Sequence, residues 1–214
     1  MHLPTQQQIS TLATMITTAI TGFFTSLGFI VAIGAQNAFI LRQGIRREHT
    51  WMIIAVCAIS DIVLIFAGTA GVGAILTSAP ALIEVMRWCG AAYLLWFAYQ
   101  SVRSAVRPQG LIAEAEQSVP VRKALLAVLA ITWLNPHVYL DTVIMVGSIA
   151  NHQGPDARWW FAAGASLASL VWFLTIGLGA RGLSGVLAKP RAWQILDFSI
   201  AGIMAALAVM LIVG

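Results

Sequence analysis

The chain has 214 residues, 59% of them hydrophobic and only 9% charged, where an ordinary soluble domain carries roughly 25% charged residues. Twenty Asp, Glu, Lys and Arg side chains cannot clothe a core of this size in water, which excludes a soluble globule. The net charge of +4 would fit a nucleic-acid partner only if its basic residues clustered on one face, so their placement decides the matter.

The first stretch, 1–15, reads as a short N-terminal tail. It has no Lys or Arg, and no small-residue cleavage site follows the first apolar run, so a secretory signal peptide is not expected. A bilayer core about 30 Å thick asks for about 20 apolar residues per helix. Six stretches meet that requirement, from Ile16 to Leu41, Thr50 to Thr77, Ala81 to Val102, Ala124 to Gly147, Trp159 to Ala180 and Trp193 to Val213. Runs such as Ala201 to Val213 are apolar on every face, and lack the alternation a membrane barrel would show. In lipid they can satisfy their backbone only as helices. The expected fold is therefore an all-α integral membrane protein with six transmembrane helices.

The connection 107–123, with Pro108, Gly110, Glu114, Glu116 and Pro120, separates a first three-helix half, 16–106, from a second, 124–214. Three helices per half would make the halves opposite in orientation if they are repeats, the inverted-repeat arrangement of many secondary transporters. The internal similarity is slight: Asn37 and Asn135 are candidate counterparts, as are the stretches ending at Pro80 and Pro190.

Basic residues set the orientation. Arg42, Arg46, Arg47, Arg103, Arg107, Arg122, Lys123, Arg181, Lys189 and Arg191 fall after helices one, three and five, while the opposite side holds only Arg87 and Arg158. That bias places the three basic loops in the cytoplasm and both termini outside it, and it removes the case for nucleic acid. Trp51 and Trp193 then belong to the inner interface, and Trp88, Trp159 and Trp160 to the outer one. Cys57 and Cys89 fall at different depths, about 10 Å apart at 1.5 Å per residue, too far for a disulfide.

Two acids stand inside the apolar runs. Asp61 is close to the midplane of helix two, and Asp141 lies in the outer half of helix four; no Lys or Arg is at comparable depth. The remaining acids, among them Glu48, Glu84, Asp156 and Asp197, read as residues of loops and helix ends. Charged side chains deep in a bilayer cost at least about 2.5 to 3.5 kcal/mol, so Asp61 and Asp141 are functional candidates. Protonation, a wet cavity or a cation from outside the protein would each stabilise them. The alternative is a protonated Asp bonded to Ser60, Tyr139 or backbone that only ties helices together.

Pro136, inside helix four, leaves the carbonyl of Thr132 without its donor and bends the helix. Bent or broken helices near the midplane commonly form substrate sites. Asn135 beside it, with Gln36 and Asn37 in helix one, places amides in the same zone. An amide accepts from an ammonium and donates to a carboxylate, as binding a zwitterionic amino acid requires; interhelical hydrogen bonding is the competing role. His137, one α-helical turn before Asp141, is either a proton relay or a packed neutral side chain. The small-residue stretches Gly68 to Ala74, Ala162 to Ser169 and Gly202 to Ala206 read as close helix packing. There is no phosphate-binding G-x-x-x-x-G-K-[ST], no H-E-x-x-H and no G-x-S-x-G, so ATP hydrolysis and the commonest hydrolytic chemistries lack support. An enzyme is not expected, nor is a cofactor, and an ion gradient is the natural energy source.

The motifs Gly34-Ala-Gln-Asn-Ala-Phe39, Gln43-Gly-Ile-Arg-Arg47, Ser60-Asp61, Tyr93-Leu-Leu-Trp96 and Thr132-Trp-Leu-Asn-Pro-His-Val-Tyr-Leu-Asp141 resemble those of the LysE/ArgO basic amino acid exporter family. The likeness covers nearly the whole chain, and the Gly-Ala-Gln-Asn form with histidine after Asn-Pro is similar to the arginine-exporter branch. The resemblance implies export of L-arginine, L-lysine or both from the cytoplasm of a bacterium; with an ion gradient as the energy source, the expectation is a secondary exporter of the inner membrane coupled to protons. It implies roles in transport for Asp61 and Asp141, and matches Gln36, Asn37, Asn135 and Pro136 to the family's amide and proline motifs. Direction of transport comes from the resemblance alone, and whether a homodimer forms stays open. A divalent-cation exporter built on Asp61, His137 and Asp141, or a membrane scaffold with no transport, would be the competing functions.

Overall fold

A computed structural model describes residues 6–31, 35–72, 78, 80–106, 120–182 and 190–213. The regular structure among the described residues is all helical, with no strand among them. In chain order the elements are α1 (Gln6–Ile30), α2 (Ala35–Arg46), α3 (Thr50–Thr69), α4 (Pro80–Val106), α5 (Val121–Trp133), α6 (Pro136–Val138), a π-helical segment π1 (Tyr139–Val146), α7 (Gly147–His152), α8 (Ala157–Gly182) and α9 (Pro190–Val213). Three of them, over Ser10–Ile30, Thr50–Thr69 and Ala157–Gly182, are long and apolar enough by composition to cross a membrane.

The chemistry of the surface agrees with lipid. Phe24, Ile59, Trp96, Tyr99 and Met210 are all exposed, which in water would be a large uncompensated apolar surface. The aromatic residues expected at interfaces are exposed too, and several are pinned by charge. Arg181 lies over the Trp51 ring at 5.6 Å and Arg158 over Trp159 at 4.8 Å. Trp88 Nε1 donates to Glu84 Oε1 at 2.7 Å, and Glu84 pairs with Arg87 one turn on at 3.2 Å. The side chain of Trp193 lies outside the described residues.

Three expected spans are corrected. The run from Ile16 to Leu41 is not one helix: α1 starts ten residues earlier, at Gln6, and ends at Ile30, and Leu41 belongs to the separate α2. The run from Ala124 to Gly147 breaks at Leu134 and Asn135. A proline at position 136 cannot donate within a helix, but it suits the first position of a new one. The run from Thr50 to Thr77 ends as a helix at Thr69, where the chain turns through Ala70 and Gly71, the latter at φ 99°. The remaining runs lie in the helices α4, α8 and α9, although 73–77, most of the 107–123 connection and the stretch before Pro190 lie outside the described residues.

Packing groups the chain into two compact units that interleave along it: 1–32 with 60–79 and 139–172, and 33–59 with 80–138 and 173–214. The first unit is built on glycine. A Cβ at Gly22 would strike the Phe161 main chain, one at Gly164 the Ala19 main chain, and one at Gly68 the Val143 main chain, so these helices approach backbone to backbone. A core of Ile65, Val146, Ala150, Phe161, Ala162 and Ala165 fills the same contact. The expectation of close packing thus holds at Gly68 and Gly164. It is corrected at Gly202, where an added Cβ would meet nothing within 4 Å; α9 buries Ala201, Met204 and Ala208 instead.

In the second unit α4 and α9 pack along one another, and α2 contacts α5 and α9. A Cβ at Gly44 would lie 2.6 Å from the Gly177 carbonyl oxygen, which fixes α2 against the C-terminal part of α8. The end of α2 is closed by a Schellman motif, Glu48 N donating to Gln43 O at 3.2 Å and Arg47 N to Gly44 O at 3.1 Å. Arg47 occupies the left-handed position at φ 57°, where glycine is usual. Cys57 is buried and Cys89 exposed, and no disulfide joins them.

Candidate functional site

The eight candidate residues divide between the units. Asp61, Tyr139 and Asp141 belong to the first; Gln36, Asn37, Asn135, Pro136 and His137 belong to the second.

In the first unit, Asp61 is 5% exposed, in the middle of α3 and directly after the buried Ser60. Asp141 is half-buried in π1, as is Tyr139. Each aspartate has a polar or electrostatic partner in the structure, so neither is the isolated charge that the sequence suggested. Both lie on segments that meet backbone to backbone at Gly68. Asp61 is about two turns before Gly68, and Asp141 is two residues before Val143, whose backbone Gly68 touches. Small residues at the crossing bring the two acid-bearing segments together. The π geometry of residues 139–146 is a second local feature, since such segments, mostly short insertions in α-helices, are frequent at functional sites. His137 is exposed.

Sequence reasoning passed over Asn151. Its Nδ2 donates to Gly147 O at 2.8 Å and Gly68 O at 3.3 Å, and Arg158 Nη1 donates to its Oδ1 at 3.1 Å. This amide ties α3 to α7 at the same crossing.

In the second unit, Asn135 is 7% exposed, and its Oδ1 accepts from His137 N at 3.1 Å. That is an N-cap bond: the side chain satisfies one of the free amides at the start of α6. The carbonyl half of the Asn135 amide is therefore already engaged in ending one helix and starting another. Gln36 and Asn37 lie in the first turn of α2; Asn37 is buried and has a partner, while Gln36 Nε2 is buried without one among the described residues. Thr132, fully buried, likewise keeps an unpartnered hydroxyl. The side chain of Pro136 lies outside the described residues. Among the described residues no three His, Cys, Asp or Glu side chains gather as metal ligands would.

A third acid departs from expectation. Asp197 reads in the sequence as a helix-end residue, yet α9 begins at Pro190, so Asp197 lies two turns inside and is 0% exposed. Arg42 Nη1 stands 3.8 Å from its Oδ1. The signal is present in the apolar run from Trp193 onward, which already contains Asp197.

Acids on two closely packed segments of one unit, and amides at helix starts in the other, stand in helices with lipid-like surfaces. The LysE type translocator family model matches residues 27–214. The chain belongs to that family. Its members are transporters rather than enzymes. The chain is 43% identical to a lysine exporter of Corynebacterium diphtheriae over 215 residues, covering 87% of this chain and 94% of the relative. It is 38% identical to a lysine exporter of Corynebacterium efficiens, covering 90% and 97% of the two chains. A putative amino-acid transporter of Mycobacterium tuberculosis is 45% identical over 183 residues, covering 86% of this chain and 90% of that one. No solved structure matches. This family member is thus a membrane transporter.

Proposed function

We propose that the protein is a secondary exporter of basic L-amino acids, arginine and lysine, driven by the proton-motive force across a bacterial inner membrane. The observation that carries the reading is the acid pair: Asp61 buried in α3 and Asp141 in π1, on two segments joined backbone to backbone at Gly68. Carboxylates in that setting suit a substrate whose side chain and α-amino group are both cationic, and the lysine exporters among the relatives give independent support. The amides of Gln36, Asn37 and Asn135 suit the zwitterionic end. Tyr139 and His137 would assist as hydrogen-bonding and proton-carrying groups.

Moving one positive charge outward against 100 mV, inside negative, costs about 2.3 kcal/mol. Entry of a proton offsets that cost, with one aspartate releasing substrate as it is protonated. Both termini lie outside the cytoplasm in this reading, supported by the ten-to-two distribution of basic residues.

The deciding experiment is efflux of arginine and lysine from loaded cells expressing Asp61→Asn or Asp141→Asn at wild-type abundance. Each variant is expected to lose uphill efflux; undiminished efflux from both would remove the carboxylates from the mechanism. Collapse of the pH gradient and membrane potential is expected to stop uphill efflux by the wild type, and persistence would reject proton coupling.

A further inference from the structure

Asp197 has its charge balanced but its hydrogen bonds unmade. Its side chain is 0% exposed, Arg42 Nη1 is 3.8 Å away, and neither carboxylate oxygen accepts a hydrogen bond among the described residues. A closed guanidinium–carboxylate fork makes two parallel bonds of about 2.7–2.9 Å. Here the fork is open, because Arg42 Nη2 is turned to Ser104 Oγ on α4 at 3.4 Å. Ser101, one turn before Ser104, is fully buried with a hydroxyl that also lacks a partner among the described residues. Asp197 is therefore a buried acceptor whose hydrogen bonds no donor among the described residues satisfies.

A purely structural tie explains this arrangement poorly. The cost of burying a carboxylate is offset only by good geometry and by hydrogen bonds to its remaining lone pairs. Helices α4 and α9 are already joined nearby by Gln194 Nε2 donating to Ala105 O at 3.1 Å. What Arg42 presents to Asp197 is a guanidinium, the same group that an arginine substrate would present.

We infer that Asp197 is a second binding position for the side-chain cation of the substrate, occupied in this conformation by Arg42 as an internal stand-in. The inference rests on the reading of the protein as a carrier of basic amino acids. A free guanidinium or ammonium that reaches Asp197 exchanges a 3.8 Å contact for direct hydrogen bonds, and Arg42, at 16% exposure the more accessible partner, moves aside. Arg42 thereby competes with the substrate, lowering its affinity here and favouring its release.

The test is L-arginine binding to the purified full-length protein in lipid nanodiscs, followed by calorimetry. Arg42→Gln removes the competitor and is expected to tighten binding by about tenfold or more, as removal of a competing bound state does. Adding Asp197→Asn to that variant is expected to abolish the gain. Unchanged or weaker binding by Arg42→Gln overturns the inference, because a structural tie offers no route to tighter binding. Should Arg42→Gln fail to accumulate, Arg42→Lys keeps the charge but loses the fork; it is expected to tighten binding by a smaller factor, and wild-type affinity in that variant overturns the inference. Wild-type protein that neither binds nor exports arginine or lysine would instead defeat the parent reading, whereas normal export with no effect at Arg42 defeats only this one.

Discussion

Gly147, at the start of α7, meets Gly68 of α3 so closely that a Cβ on Gly147 would lie 2.6 Å from the Gly68 carbonyl carbon. The obstacle is main chain on both sides, which cannot rotate away as a side-chain tip can. Gly147→Ala and Gly68→Ala are each expected to destabilise the protein by about 1–3 kcal/mol or more, the range for overpacking a tight contact. Thermal unfolding in detergent measures this. Gly202→Ala is the control: with open space around it, the change should leave stability equal or raise it by up to about 1 kcal/mol through helix propensity.

Asn135 permits a separation of roles. As an N-cap its side-chain oxygen accepts from His137 N, and Asn135→Ala is expected to cost about 1 kcal/mol. Asn135→Asp and Asn135→Ser keep an acceptor and should recover that stability. If the amide also serves the substrate, efflux by the two rescued variants stays low although the fold is restored; full recovery of efflux would assign Asn135 to capping alone.

Arg47 holds a left-handed conformation at φ 57° and donates from Nη2 to Arg181 O at 3.4 Å. Such a backbone costs a non-glycine residue about 1–2 kcal/mol, and an exposed long contact contributes little against it. Arg47→Gly is therefore expected to raise the melting temperature. A fall would mean that the Arg181 contact outweighs the backbone strain.

The two thiols differ in access. Maleimide applied to the folded protein in detergent is expected to modify Cys89 and spare Cys57 until the protein unfolds. Mass spectrometry of the labelled chain counts the adducts, and rapid double labelling would contradict the burial of Cys57 in α3.

Much of this fold is legible in the amino-acid sequence. The apolar runs at 81–102, 159–180 and 193–213 lie within helices, and the run from Thr50 to Thr77 starts with one that ends at Thr69, because lipid leaves the backbone no other partner. Asp61 and Asp141 stand out for a related reason, since charge is rare where it is expensive. The pairing of Glu84 with Arg87 follows from helix spacing alone. Local rules fail where one contact depends on a distant segment. Hydropathy alone does not mark the break after Ile30 or the π geometry of residues 139–146. No spacing rule joins Arg42 to Asp197, which lie 155 positions apart.

Sequence by itself determined that the chain is helical, lives in lipid and carries acids where lipid penalises them, because those conclusions need only composition, length and the cost of burying charge. Tertiary structure alone decided which glycines bear a helix crossing, that Asn135 caps a broken helix, and that Asp197 is a buried acid facing an arginine. Those facts depend on which backbone and which side chain arrive from elsewhere in the chain, and no local pattern encodes that arrival.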